Sequence, residues 1–274
     1  VKNLIAISTI LFISIVFSTI FVPNIYAAQA QRVTILADDS YPPYSFVENG
    51  QLKGIYIDIV KEAAKLIEPH YKIKIAAVPW KRGLQELQKG ISFALLPPYK
   101  HIEERSYIWP YSVPIMRENV VAFCQKNIDL FEYITPQAMK KSEPLIIGIN
   151  AGYLILNNSL EQAKNRKNIV LSENKSTSSN IMKLFYKRLD CYLNDKHSTL
   201  WELANMTKDK KIHFDNIKEA LLVMSQTAHI GYTNNSTHTF IFKDDFILRM
   251  DQALSRVISS SEYHNIINRY VTIK

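Results

Sequence analysis

Two tyrosines bracket a pair of prolines at Tyr41-Pro42-Pro43-Tyr44, directly after Asp38-Asp39. The prolines fix φ and carry no N–H, so a strand that runs into them must stop there. What remains is a rigid loop with two aromatic faces at the end of a strand. In open α/β folds that edge is where small molecules bind. Bond-breaking chemistry finds little support. Glu48, Glu103 and Glu104 are available acids, but no Ser-His-Asp order, Cys-His pair or glycosidase-like carboxylate pair stands out. The seven histidines form no HxH or HExxH, and neither cysteine sits in a CxxC or metal-ligand spacing. Neither a metal nor a cofactor is expected, and the chain reads as a binding protein rather than an enzyme.

The elements that must hold this loop follow from periodicity. Arg32 to Ala37 alternates like a strand, and Asn49-Gly50 marks a turn because both residues tolerate φ > 0. Ile55, Ile59, Ala63 and Ile67 then recur at helical spacing until Pro69. Tyr71 to Val78 predicts a second strand, Trp80 to Leu87 a short helix closed by Gly90, and Ile91 to Leu96 an apolar strand. Strand, helix, strand, helix, strand implies a doubly wound parallel sheet. Val120 to Gln125 is a further strand, after which the alternation repeats. Strands are expected at 144–149, 168–171 and 190–194, and helices from Tyr153 to Lys164 and from Thr177 to Leu189. Leu221 to Met224 and His229 to Tyr232 read as returning strands, and 244–258 and 261–270 as two final helices.

Asp38 to Ile67, with Trp109-Pro110-Tyr111-Ser112-Val113-Pro114 and the ending DDFILRMDQALSRVISSSEYHNIINRYV, resembles the periplasmic solute-binding proteins of the polar amino-acid ABC-importer family. Lysine/arginine/ornithine- and glutamine-binding proteins belong to it. The resemblance runs discontinuously over almost the whole chain after residue 30. It implies an α/β fold of two lobes, each a mostly parallel sheet flanked by helices, joined by two hinge strands. The expected division is 31–118 and 229–274 for the first lobe and 119–228 for the second, with a hinge near Arg117 to Val121. It also implies the parts that a zwitterion needs: a planar cation for the carboxylate, an anion for the ammonium, and aromatic walls. Arg105 matches the family arginine that grips the α-carboxylate, and a surface arginine pairing with a local glutamate is the plainer reading. Asp195 matches the aspartate that receives the α-ammonium, and the plainer reading is a cap for a helix over Ser198 to Met206. Tyr41 and Trp80 match the two walls, against ordinary core packing, and Asp38 matches the loop aspartate.

This chain also departs from the family pattern. Pro97, Pro98, Tyr99 and Lys100 stand where the family carries serine or threonine, and Gly152-Tyr153 stands where it carries Gly-Thr at a helix start. Two carboxylate-binding hydroxyls are thereby lost. Backbone N–H groups at Gly152 are left as the anion donors, and Tyr99 and Tyr153 make the pocket more aromatic.

Residues 1–30 read as a secretory leader: Lys2, an uncharged apolar run from Leu4 to Val22, Pro23, and a small-x-small site at Ala28-Gln29-Ala30. A helix of about 20 apolar residues also spans a bilayer, so an uncleaved anchor competes. Removing the leader takes one basic residue and leaves 32 basic against 25 acidic residues, a net charge of about +7. The lysines are scattered, which argues for solvation rather than nucleic-acid binding. Export permits a bridge between Cys124 and Cys191, while their apolar surroundings suit two buried thiols equally. The expected setting is periplasmic, the expected partners are a small polar ligand and an ABC permease, and the expected state is a monomer. A sensory role without import and a dehydratase-like enzyme on the same scaffold are the competing functions.

Overall fold

β1 (Gln31–Asp38) begins with exposed residues and ends in four buried ones, so the strand dives into the molecule toward its carboxyl end. In the computed structural model, which describes residues 30–210, 213–235 and 240–271, it pairs in parallel with β5 (Tyr71–Val78) and β6 (Ala94–Leu96). Between them lie β2 (Ser40–Tyr41), β3 (Ser45–Glu48) and β4 (Gln51–Lys53), a small antiparallel sheet. Asn49 and Gly50 close its hairpin with φ of 52° and 75°, as their residue types predict. Helix α1 (Ile55–Ile67) follows, with Ile55, Ile59, Ala63 and Ile67 buried on one face. Gly54 before it is obligatory, since φ is 128° and a Cβ there would sit 2.3 Å from the Tyr44 carbonyl oxygen. Helix α2 (Trp80–Gln88) leads to β6.

The first sheet has the order β5-β1-β6-β13-β7, with β7 at Ile108–Tyr111 and β13 at Gly231–Thr233. The chain then enters a second sheet through β8 (Met116–Gln125). After the short helix α3 (Phe131–Ile134) come β9 (Leu145–Asn150), α4 (Asn158–Asn165), β10 (Ile169–Asn174), α5 (Thr177–Phe185), β11 (Cys191–Asp195), α6 (Lys196–Lys210) and β12 (Ile217–Ala228). The order here is β10-β9-β11-β8-β12. In each sheet the three βαβ-linked strands are parallel; β13 and β8 run against them, and the edge strands β7 and β12, antiparallel to β13 and β8, run with them. β12 and β13 carry the chain back, and α7 (Lys243–Ile258) and α8 (Ser261–Val271) close it, with α7 packing on α1.

Several expectations change. Ile91–Leu96 is a strand only from Ala94, because the turn after Gly90 consumes the first residues. Strand β7 was hidden by Pro110, which sits where it forfeits little of the ladder. Helix α4 starts at Asn158 rather than at Tyr153, since Asn157 caps it by accepting from the Leu160 N–H. Helix α5 ends at Phe185, and Lys187 beyond it has φ of 62°. The predicted strand at 221–224 is the middle of a twelve-residue strand. Cys124 and Cys191 face each other on β8 and β11 and form a disulfide, which resolves the pairing left open by the sequence. The leader lies outside the described residues. No helix among the described residues is long and apolar enough to cross a membrane.

Candidate functional site

The carboxyl ends of β1 and β6 point into one crevice, on either side of the position where the chain order reverses between β5-β1 and β6. Asp38 ends β1, Trp80 opens α2 after β5, and Pro97 follows β6. These residues line a cavity of about 30 Å³ together with Tyr41, Tyr99, His101, Arg105, Tyr153, Leu154 and Ile155. The last three belong to the loop between β9 and α4, so the second sheet supplies the facing wall.

Arg105 is buried, at 5 % exposure, and makes no ion pair among the described residues. Its Nη2 donates to the Gly152 carbonyl at 2.6 Å, across the crevice, and its guanidinium lies 5.7 Å from the Trp80 ring. Burial works against its charge. The same burial, helped by the Arg105 charge, lowers His101 to about 4, so this imidazole is neutral. The Trp80 indole N–H is buried with no acceptor among the described residues. At the other side of the cavity Asp38 is raised to about 7 by burial, although its Oδ1 accepts from the Ser40 N–H at 3.0 Å. Its Oδ2 accepts from the Tyr153 hydroxyl at 3.4 Å.

Behind the Tyr41 and Tyr99 wall lies a group that the sequence did not reveal. Glu118 in β8 is fully buried and accepts from three phenols, those of Tyr41, Tyr56 and Tyr99, the last at 2.6 Å. Burial, and then the nearby Asp195, raises it to about 8. Alternation along β8 could have found it, because Glu118 shares the period-two face of Val120, Ala122 and Cys124, all three in one buried cluster.

Of the residues singled out from the sequence, Asp38, Tyr41, Trp80, Tyr99, Arg105 and Tyr153 come together around the cavity. Gly152 joins them through its carbonyl rather than its N–H. The helix beyond it starts six residues later, so no helix N-terminus lies at Gly152. Asp195 stands apart from the cavity lining. Its Oδ1 accepts from the Ser198 N–H at 2.8 Å and the Tyr44 hydroxyl at 2.9 Å, and its Oδ2 accepts from the Asn119 N–H at 3.2 Å. That is a cap for α6 joined to the start of β8. The lining holds no serine, threonine, cysteine or lysine to act as a nucleophile. Among the described residues no three His, Cys, Asp or Glu side chains converge as a metal site. The arrangement can hold a polar molecule by charge and ring contacts.

A family model described as bacterial extracellular solute-binding proteins, family 3, matches residues 33–273. No curated protein sequence matches the chain. Among solved structures, a histidine kinase sensor domain with similarity to periplasmic binding proteins aligns over 89 % of this chain and 97 % of its own, with a TM-score of 0.69 and 12 % identity. The arginine-, lysine-, histidine-binding protein ArtJ from Geobacillus stearothermophilus aligns over 88 % and 95 %, with a TM-score of 0.60 and 18 % identity. An ancestral amino acid-binding protein, a precursor of cyclohexadienyl dehydratase, aligns over 88 % and 95 %, with a TM-score of 0.63 and 16 % identity. At these identities the likeness speaks for the fold.

Proposed function

Since the chain belongs to family 3 of the bacterial extracellular solute-binding proteins, we propose that its crevice receives a small polar solute, an amino acid or a related carboxylate, for delivery to an ABC importer. The observation that carries this reading is Arg105: a buried guanidinium with no carboxylate partner among the described residues, facing a cavity. A desolvated charge needs a counter-charge, and a planar fork matches a carboxylate. Asp38, across the same cavity, is the acid placed to receive an ammonium group, which would pull its raised pKa down. Asp195, the family's equivalent, is engaged as a helix cap. In this reading 31–118 with 229–274 and 119–228 are two lobes that part and close about β8 and β12. The protein is a periplasmic monomer freed of its leader after Ala30, it meets a permease in the inner membrane, and it has no turnover of its own.

The test is a thermal-shift screen against amino acids, amines and small organic acids, since a ligand bound only by the native state raises Tm. Arg105→Ala is expected to abolish most of the shift given by carboxylate ligands while leaving the Tm of the free protein within a few degrees. An undiminished shift removes Arg105 from the site. A second reading, sensing without import, draws on the likeness to the kinase sensor domain. Deleting the gene separates the two: lost uptake of labelled solute supports import, and intact uptake with a lost transcriptional response supports sensing.

A further inference from the structure

Tyr153 belongs to the chain, and its ring stands in the crevice between Tyr41 and Trp80. It meets Tyr41 edge-on, with centroids 5.8 Å apart and planes at 90°, and meets Trp80 at 6.2 Å and 80°. Its hydroxyl reaches from the second sheet to Asp38 on the first. It packs against hydrophobic clusters from both sheets at once. Its own backbone sits in the turn and loop between β9 and α4, where no ladder or helix fixes it. The carbonyl just before it, on Gly152, is the one that occupies Arg105. The space left beside the ring, about 30 Å³, has room for about two water molecules. No amino acid fits there while the ring is in place.

We propose that Tyr153 is a built-in plug, and that the solute of this site is a carboxylate carrying a phenol-like aromatic ring. That solute displaces the Tyr153 ring, takes over its contacts with Tyr41, Trp80 and Asp38, and sets its carboxylate on Arg105. The last part rests on the reading of Arg105 given above. An edge-to-face nest between two rings is a geometry that aromatic quadrupoles favour. An aliphatic solute that expelled the ring would give up that geometry. A ring with a hydroxyl replaces like with like.

The experiment compares wild type, Tyr153→Ala and Arg105→Gln by calorimetry with 4-methylphenol, acetate and 4-hydroxyphenylacetate. Tyr153→Ala is expected to bind 4-methylphenol, much as an engineered apolar cavity of about 150 Å³ takes up benzene. Wild type is expected to bind it roughly ten- to a hundredfold more weakly, the factor for a binding-competent form populated at about 1–10 %. 4-Hydroxyphenylacetate is expected to bind more tightly than either fragment, and Arg105→Gln to erase its advantage over 4-methylphenol. Failure of Tyr153→Ala to bind 4-methylphenol, or equal affinity in wild type, overturns the plug. Acetate binding better than 4-hydroxyphenylacetate overturns the aromatic class. If 4-methylphenol binds Tyr153→Ala but the added carboxylate contributes nothing, the plug stands and the Arg105 reading falls. Should Tyr153→Ala not fold by circular dichroism, Tyr153→Thr replaces it in the same titrations, and the same results uphold or overturn the plug.

Discussion

Replacing Glu118 by glutamine isolates the energetics of the buried carboxyl behind the tyrosine wall. In the fold this group is raised from its ordinary 4.5 to about 8, chiefly by burial. Its neutral form is therefore the one the native state prefers. The sign follows from linkage: below about pH 4.5 both folded and unfolded states hold the proton, and the full stability is present. As pH rises toward 8 the unfolded chain releases the proton while the folded one retains it, and stability is lost. The slope is about 1.4 kcal/mol for each pH unit, and the whole window is worth roughly 5 kcal/mol. Glutamine has nearly the same shape and carries no such titration. Urea denaturation of wild type and Glu118→Gln at pH 5, 6, 7 and 8 should give curves that diverge, the variant gaining on wild type as pH rises. For a chain of this size that gain corresponds to about 3 °C in Tm for each pH unit. Asp38, raised to about 7, contributes a fall of the same sign in both proteins and so cancels from the difference. Parallel curves from pH 5 to 8 would refute the idea that the Glu118 carboxyl is neutral in the fold.

Other expectations follow from single contacts. Cys124→Ser with Cys191→Ser, or reduction of the bridge, removes a closure between residues 67 apart, and a loss of about 2–4 kcal/mol in urea is expected. Asp195→Ala removes the cap of α6 and strands the Tyr44 hydroxyl, which should lower stability by about 1–3 kcal/mol. Calorimetry of Asp195→Ala also decides its part in binding. An unchanged affinity for an ammonium-bearing solute marks it as a cap, whereas a loss of tenfold or more would return it to the site.

Much of the architecture could be read from periodicity, because its elements are long or sharply bounded. Tyr71–Val78 and the two final helices lie where their apolar spacing and flanking turn residues put them, within a residue. The readings that failed were of short or mixed signals. Strand β7 contains a proline, and α4 is preceded by an apolar but irregular loop in which only Asn157 marks the true start. The aromatic half of the crevice was legible because a rigid Tyr-Pro-Pro-Tyr loop at a strand end leaves its rings few other destinations. Asp38, at the end of the same strand, was legible with it, and Glu118 behind the wall was not. Glu118 lies in a charged tripeptide, Arg117-Glu118-Asn119, that looks like solvent-facing surface. Its burial comes from distant elements, the pairing with Gln226 of β12 and the phenols of Tyr41, Tyr56 and Tyr99, and the one local sign is its place on the buried period-two face of β8.

β8 and β12 are paired along their whole length, from Ile217 opposite Gln125 to Ala228 opposite Met116, with two bulges on the way. Both passages between the sheets thus leave side by side, as the two edges of one hydrogen-bonded ribbon. Slipping such a ribbon by a single residue would turn every side chain to the opposite face, whereas twisting it keeps all the bonds, and bulges already add twist. On the proposed two-lobe reading, relative movement of the sheets would be rotation about that ribbon. The aromatic cleft would then open as a book opens along its spine, its two pages returning to the same alignment each time they shut.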